Sequence, residues 1–255
     1  MLRPPPFFED KQYLRTVLAE KPAALSAAQA VEAARLARCP PGAMILDAGC
    51  GNGRHAVPLA GAGYRVVGLD GSEALLAAAR RAVHGGRRPR FVRGSYATLP
   101  FERASFDAVL CLGTALGYVG DAADRAALRE FRRVLARGGR LVIETLHRGE
   151  IGARLPEHEE RPLASGDVLR FERRFDRARG VMHEAQRLDQ ASPRSYELRV
   201  YAEHELRRML ESAGFAVVGR HATLAGEGEP SPATPLVLVA EVDEARRSPV
   251  SAPRQ

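Results

Sequence analysis

Tryptophan is absent from the 255 residues, lysine occurs only at Lys11 and Lys21, and cysteine only at Cys39, Cys50 and Cys111. Three thiols, odd in number and without C-x-x-C spacing, exclude a disulfide framework or a zinc site as the organising feature, and they suit a reducing cytoplasm. No apolar run reaches membrane-spanning length. The opening Met1-Leu-Arg-Pro-Pro-Pro lacks the apolar core of a signal peptide, so neither export nor a membrane partner is expected. With so little lysine, the net charge of +7 is almost wholly an arginine property. Those arginines are scattered rather than clustered, which argues against nucleic acid as a partner. Hydrophobic residues at 45% and charged residues at 27% are ordinary for a globular enzyme, and the length suffices for a sizeable core.

What is present is centred on Met44-Ile-Leu-Asp-Ala-Gly-Cys-Gly-Asn-Gly-Arg-His55. A short apolar run ends on an acid and opens into three glycines, the pattern of a buried strand turning through a Gly-rich loop into a helix. Glycine lets the backbone approach a ligand closely. In a dinucleotide site the loop faces a pyrophosphate, which Asp47 would repel. The third glycine of G-x-G-x-x-G would also fall at Arg54. An acid at the loop entrance suits a cationic head, such as the ammonium of S-adenosylmethionine.

Taken in order, Phe7–Ala19 and Pro22–Arg38 read as helices, the second stopped by Cys39-Pro-Pro-Gly42. Strands are expected at Met44–Asp47, Tyr64–Asp70, Arg90–Arg93, Phe106–Leu112 and Arg140–Leu146. The helices between them begin near Arg54, after the capping Ser72, and at Asp121, the last stopping at Gly138-Gly139. This alternation predicts a parallel sheet covered on both faces. Asp167–Asp176, Val181–Asp189 and Ser195–Tyr201 then alternate with period two, as an inserted antiparallel meander. A helix at Glu203–Ala213 and strands at Phe215–Arg220 and Leu236–Val242 return to the main sheet. The expected division is a helical cap at 1–42, a core at 43–148 and 202–242, the insert at 149–201, and a disordered tail at 243–255.

Leu46-Asp-Ala-Gly-Cys-Gly-Asn-Gly53, the acid Asp70 ending the second strand, and Arg133-Val-Leu-Ala-Arg-Gly-Gly-Arg-Leu141 together resemble the class I S-adenosylmethionine-dependent methyltransferases over about residues 43–242. Gly51-Asn-Gly-Arg-His55 and Arg199-Val-Tyr201 resemble a bacterial small-molecule subgroup related to the sugar-amine N-methyltransferases. The resemblance implies a Rossmann-like, doubly wound α/β sheet of seven strands with an antiparallel last strand. It also implies methyl transfer to nitrogen or oxygen of a small molecule, with S-adenosylmethionine as cofactor and no metal.

Carried over position by position, Asp47 meets the methionine ammonium, Gly49, Gly51 and Gly53 give backbone approach, and Asp70 reaches the ribose hydroxyls, with Gly71 and Ser72 beside it. Where the family usually has an acid near the adenine, this chain has Ser95 and Tyr96 after Gly94. Leu112 and Gly113 should flank the cofactor.

A displacement at a sulfonium methyl needs mainly alignment and a group to take a proton. Tyr118 and His147 are the candidates for that work, against a packing tyrosine and a surface histidine. Arg199 and Tyr201 share one strand face and either close the pocket or brace the meander. Tyr13 is a lid contact or an amphipathic anchor, and His55 reads as a packing residue. The insert serves selectivity or a homodimer contact. Alternatives are an RNA methyltransferase, although the Asn/Asp-Pro-Pro-aromatic motif is missing after the fourth strand; a cofactor-binding protein without activity; and, least supported, an NAD-dependent reductase.

Overall fold

The computed structural model describes residues 5–10, 13, 16, 22–151, 154–224, 228–231 and 234–243. A 3-10 turn at Pro6–Glu9 precedes helix α1 (Ala23–Leu36). The main unit then runs β1 (Met44–Ala48), α2 (Ala56–Gly61), β2 (Arg65–Asp70), α3 (Glu73–Arg81), β3 (Arg90–Arg93), β4 (Phe106–Cys111), α4 (Asp121–Val134) and β5 (Leu135–Thr145). After a 3-10 turn at Arg148–Glu150, four strands follow: β6 (His158–Pro162), β7 (Val168–Asp176), β8 (Val181–Leu188) and β9 (Arg194–Arg199). Helix α5 (Glu203–Ser212) leads back to β10 (Phe215–His221) and β11 (Leu236–Val242).

The seven-stranded sheet has the order β10-β11-β5-β4-β1-β2-β3, and β11 is antiparallel to both its neighbours. Its central strands are apolar in both phases. Ile45, Ala108, Leu110 and Val142 pack with α1 and α2 residues on one face, while Leu46, Val109, Leu141 and Ile143 pack with α4 and α5 residues on the other. A strand buried on both sides reads as a continuous apolar run rather than an alternating one. This places β1 and β4 in the middle, with their carboxyl ends, where ligands bind in such sheets, side by side. No helix among the described residues is long and apolar enough to cross a membrane.

Two expectations are corrected. Helix α4 ends at Val134, not at Gly138-Gly139, and β5 starts at once with Leu135 opposite Phe106. The glycine pair instead lies in a bulge, since the next register pair is Ala108 with Arg140. A side chain is excluded at Gly139, where a Cβ would fall 2.9 Å from the Asp107 carbonyl oxygen, while Gly138 supplies a φ of +71° in open space. The second sheet, β6-β7-β8-β9, also has a strand more than the expected meander. Strand β6, His-Glu-Glu-Arg-Pro, has no apolar alternation, and its charges and terminal Pro162 suit an edge. The expected helix over Phe7–Ala19 does not start at Phe7, where a 3-10 turn ends on extended Asp10, and its remainder and the expected tail fall largely outside the described residues.

The insert is tied to the main unit at its base. The Arg199 amide donates to the Gly117 carbonyl at 2.9 Å, and the Arg148 guanidinium bonds the Val200 carbonyl and Glu205. Its inner face therefore stands over the carboxyl ends of β1, β2 and β4.

Candidate active site

The loop after β1 is pinned by the Gly49 and Cys50 amides, which donate to the Leu69 carbonyl at 2.8 and 3.0 Å. A Cβ on Gly49 would fall 2.6 Å from that of Ala115, at a φ of +81°. On Gly51, by contrast, a Cβ would meet nothing within 4 Å, because this residue faces the cavity. Gly53 lies behind, against Ala79 and Phe91, and does not line the cavity.

Asp47 is 1% exposed, and its Oδ2 has no hydrogen-bond partner among the described residues. Burial pushes its carboxyl up to about 7, against the pull of Arg54 and the Ala56 amide. A buried polar atom without a partner is unusual in a folded chain. Asp47 does not itself line the cavity, so an ammonium group supplied by a ligand would satisfy this oxygen through a bridging water and favour the ionised form.

Asp70 holds the loop as well as lining the cavity. Its Oδ2 accepts from the Gly51 amide and its Oδ1 from the Ser72 amide, both at 2.8 Å. Burial raises its pKa, against these same amides. Since a carboxylate accepts about four hydrogen bonds, capacity remains for ribose hydroxyls. Gly71, Ser95, Tyr96, Leu112 and Gly113 also line the cavity. Ser72 does not. Its hydroxyl caps α3 by accepting from the Leu75 amide at 3.1 Å, and it donates to the Phe8 carbonyl at 2.9 Å. The Tyr96 hydroxyl is buried without a hydrogen-bond partner among the described residues, and burial raises its pKa.

On the acceptor side the structure separates the candidates. Tyr118 and Tyr13 are in the wall, and so is the buried His55. His147 is not. Its Nδ1 accepts from the Gly149 amide at 3.1 Å and caps the 3-10 turn. Arg199 and Tyr201 are likewise outside and act as the brace. The Tyr201 hydroxyl donates to Asp124 at 2.8 Å, while Arg199 binds Asp121, Glu205 and the Val200 carbonyl and stacks over the Tyr201 ring.

The reading by periodicity missed the opposite wall, formed by Met182, Glu184 and Gln186 on β8 and Tyr196 and Leu198 on β9. Glu184 is 4% exposed. Its Oε1 accepts from the Tyr196 hydroxyl at 2.6 Å and the Gln186 amide at 2.7 Å, and its Oε2 accepts from Arg173 Nε at 2.5 Å. A signal for them existed. Leu169, Phe171 and Phe175 set the inward phase of β7, and Arg173 falls in that phase, as its partner Glu184 does on β8.

The first described residues roof the cavity. Phe8 stacks edge-on to Tyr118 at 4.8 Å, and Phe7 lies 4.7 Å from the Tyr196 ring. Glu9 accepts from the Glu73 and Ala74 amides at the start of α3, and Asp10 pairs with Arg194 of the insert at 2.8 Å. The enclosed space is about 410 Å³.

Residues 45–139 match the family model described as a methyltransferase domain. The demethylmenaquinone methyltransferase of Clavibacter sepedonicus is 40% identical over 102 residues, which are 40% of each chain. The match thus spans about two fifths of that curated relative. Two solved structures are similar over nearly the whole chain. The CcbJ methyltransferase from Streptomyces caelestis has a TM-score of 0.78 and 25% identity, covering 92% of this chain and 97% of its own. CalS10 from Micromonospora echinaspora, an amino pentose methyltransferase solved with S-adenosylmethionine bound, has a TM-score of 0.65 and 26% identity, covering 91% and 97%. Residues 45–139 thus match a methyltransferase domain, and over nearly its whole length the chain is similar in fold to S-adenosylmethionine-dependent methyltransferases, in keeping with the glycine loop and Asp70 at the end of β2.

Proposed function

We propose that the protein transfers a methyl group to a nitrogen or oxygen of a small-molecule acceptor bound between the glycine loop and the inner face of the insert. One observation carries this reading: the glycine loop with Asp70 and the insert's Glu184–Tyr196 wall line the same partly enclosed cavity. The nucleotide side and the acceptor side are thus continuous.

When bound, S-adenosylmethionine supplies a methyl carbon already activated by its sulfonium. Asp47, the glycine loop and Asp70 would hold it. The chain's remaining work is to orient the acceptor and keep water out, and alignment alone contributes much of the rate in such a reaction. Phe8, Tyr13, Tyr118 and Tyr196 close the acceptor side with aromatic rings. Burial raises the Tyr118 pKa, so its hydroxyl remains protonated at neutral pH and positions rather than removes a proton. Among the described residues the charged ones lining the cavity are Asp70, Glu184 and Arg54, a balance that suits a small acceptor better than a polyphosphate backbone.

The test is calorimetry with S-adenosylmethionine, followed by transfer of a labelled methyl group to a panel of small amines and alcohols, with RNA as control. Cofactor binding with label on a small molecule is the expected result. Label only on RNA, or binding without transfer to anything, would overturn the proposal.

A further inference from the structure

The inner face of the insert carries one buried charged rung among apolar side chains. Arg173, Glu184 and Tyr196 occupy the same register across β7, β8 and β9, with Phe171, Met182 and Leu198 on the same face. A buried ion pair is costly to desolvate, and apolar residues would fill the space without that cost. The rung is also asymmetric. Arg173 holds Oε2 from the far side, where it is itself fixed by Glu159 at 2.8 Å and the Pro156 carbonyl at 3.1 Å, and it does not line the cavity. Among the described residues Oε1 receives the neutral donors Tyr196 and Gln186, and both line the cavity. The carboxylate therefore turns its less neutralised edge toward the space where the acceptor must lie.

Around that edge stand aromatic rings. Tyr118 and Tyr196 lie 5.4 Å apart between centroids, and Phe8 stands edge-on to Tyr118 at 4.8 Å. Ring faces beside a carboxylate attract a cation and do not discriminate in favour of a neutral hydroxyl. The guanidinium that lines the cavity among the described residues, Arg54, is at the nucleotide end beside Gly113, with Nη1 on Gln29 at 3.0 Å.

We infer that Glu184 is the acceptor anchor, and that the acceptor is a small molecule presenting a primary or secondary ammonium group to Oε1 in place of the Gln186 amide, within the Tyr118–Tyr196–Phe8 rings. The inference rests on the methyl-transfer reading above and narrows its acceptor to nitrogen. An ammonium has no free electron pair. One N–H bond breaks, its pair stays on nitrogen as the nucleophile, and the proton passes to Glu184 Oε1. The group that takes the proton is then neither of the two candidates read from the sequence. Arg173 is a positioning residue, which aims the carboxylate from behind.

The experiment titrates two probe pairs, cyclohexylamine against cyclohexanol and benzylamine against benzyl alcohol, into full-length protein saturated with S-adenosylhomocysteine. Each amine should bind about tenfold more tightly than its alcohol, the effect of one hydrogen bond to a charged group. Glu184→Gln should abolish the preference while S-adenosylhomocysteine still binds. The wild-type comparison needs no variant, and equal binding of amine and alcohol in both pairs overturns the inference. A preference that survives in folded Glu184→Gln overturns it too. If that variant does not fold, Glu184→Asp keeps the charge but withdraws it from the rings, and an undiminished preference there counts against the anchor. Failure of S-adenosylhomocysteine to bind the wild type would instead remove the methyl-transfer reading itself.

Discussion

Glu184 and Tyr196 stand directly opposite each other on β8 and β9, and the phenol donates to the carboxylate at 2.6 Å. Neither side chain belongs to the methyltransferase domain at residues 45–139, yet both line its cavity. Arg173 completes the rung from the other side.

Removing Arg173 alone should be far worse than removing the pair. Arg173→Met leaves Glu184 buried and uncompensated, and should cost roughly 3–5 kcal/mol of stability. In the double variant Arg173→Met/Glu184→Leu most of that loss should return, because apolar side chains suit the surrounding face. Urea unfolding of the two single variants and the double variant measures the coupling. A double variant as unstable as the single would contradict it.

Asp47 should make both stability and cofactor binding depend on pH. Its folded pKa is about 7 against an ordinary 3.8, so folding takes up a proton between these values. The ionised carboxylate is the costly form. Its contribution therefore opposes folding above pH 7 and fades as the pH falls toward 4. Asp47→Asn should remove this slope and be the more stable protein at pH 8 when no ligand is bound. Cofactor binding runs the other way, since the ammonium needs the ionised acid. Calorimetry should show weaker binding at pH 6 than at pH 8 in the wild type, and a loss of about tenfold or more in Asp47→Asn.

The loop glycines should divide into two classes. Gly49→Ala brings a Cβ to 2.6 Å from Ala115 at a positive φ, and should destabilise the fold by roughly 1–3 kcal/mol. Gly51→Ala meets no protein atom and carries only the penalty of φ +53°, about 1–2 kcal/mol. Its methyl group faces the cavity, so its main effect should be on cofactor affinity. Thermal melting with and without S-adenosylmethionine separates the two.

His147 should be dispensable for turnover. Its ring caps a 3-10 turn outside the cavity, so His147→Ala should cost about 1 kcal/mol of stability or less and leave kcat unaltered. Tyr118→Leu, which opens the ring wall, should lower kcat/KM. A kcat lost in His147→Ala and kept in Tyr118→Leu would reverse the two assignments.

The nucleotide half was legible in the chain because its signals are local. An apolar run, an acid and three glycines are contiguous at 44–53, and Asp70 ends its own strand. The acceptor half is made by distant segments. Phe8, Tyr118, Glu184 and Tyr196 meet only through the fold, and no spacing links them. Gly138-Gly139 was misleading because glycine marks helix ends and bulges alike, and the register of β4 with β5 decides between them. Strand β9 ends at Arg199, so Tyr201 lies just beyond it and not on its face, and what the pair meets is a tertiary matter. The pair meets Asp121 and Asp124 of α4.

The shared rung has a consequence for how such an acceptor site can change. Strand side chains alternate, so a slip of one residue between β8 and its neighbours would turn Met182, Glu184 and Gln186 outward and bring in His183 and Ala185. Pairing is set well away from the cavity. The Asp176 side chain receives the Arg179 amide in the turn before β8, and the Asp189 side chain, at φ +47°, receives the Val168 amide in the turn after it. These two tight turns act as alignment pins. A single insertion or deletion at either one would exchange the whole recognition surface at a stroke and leave the nucleotide half untouched.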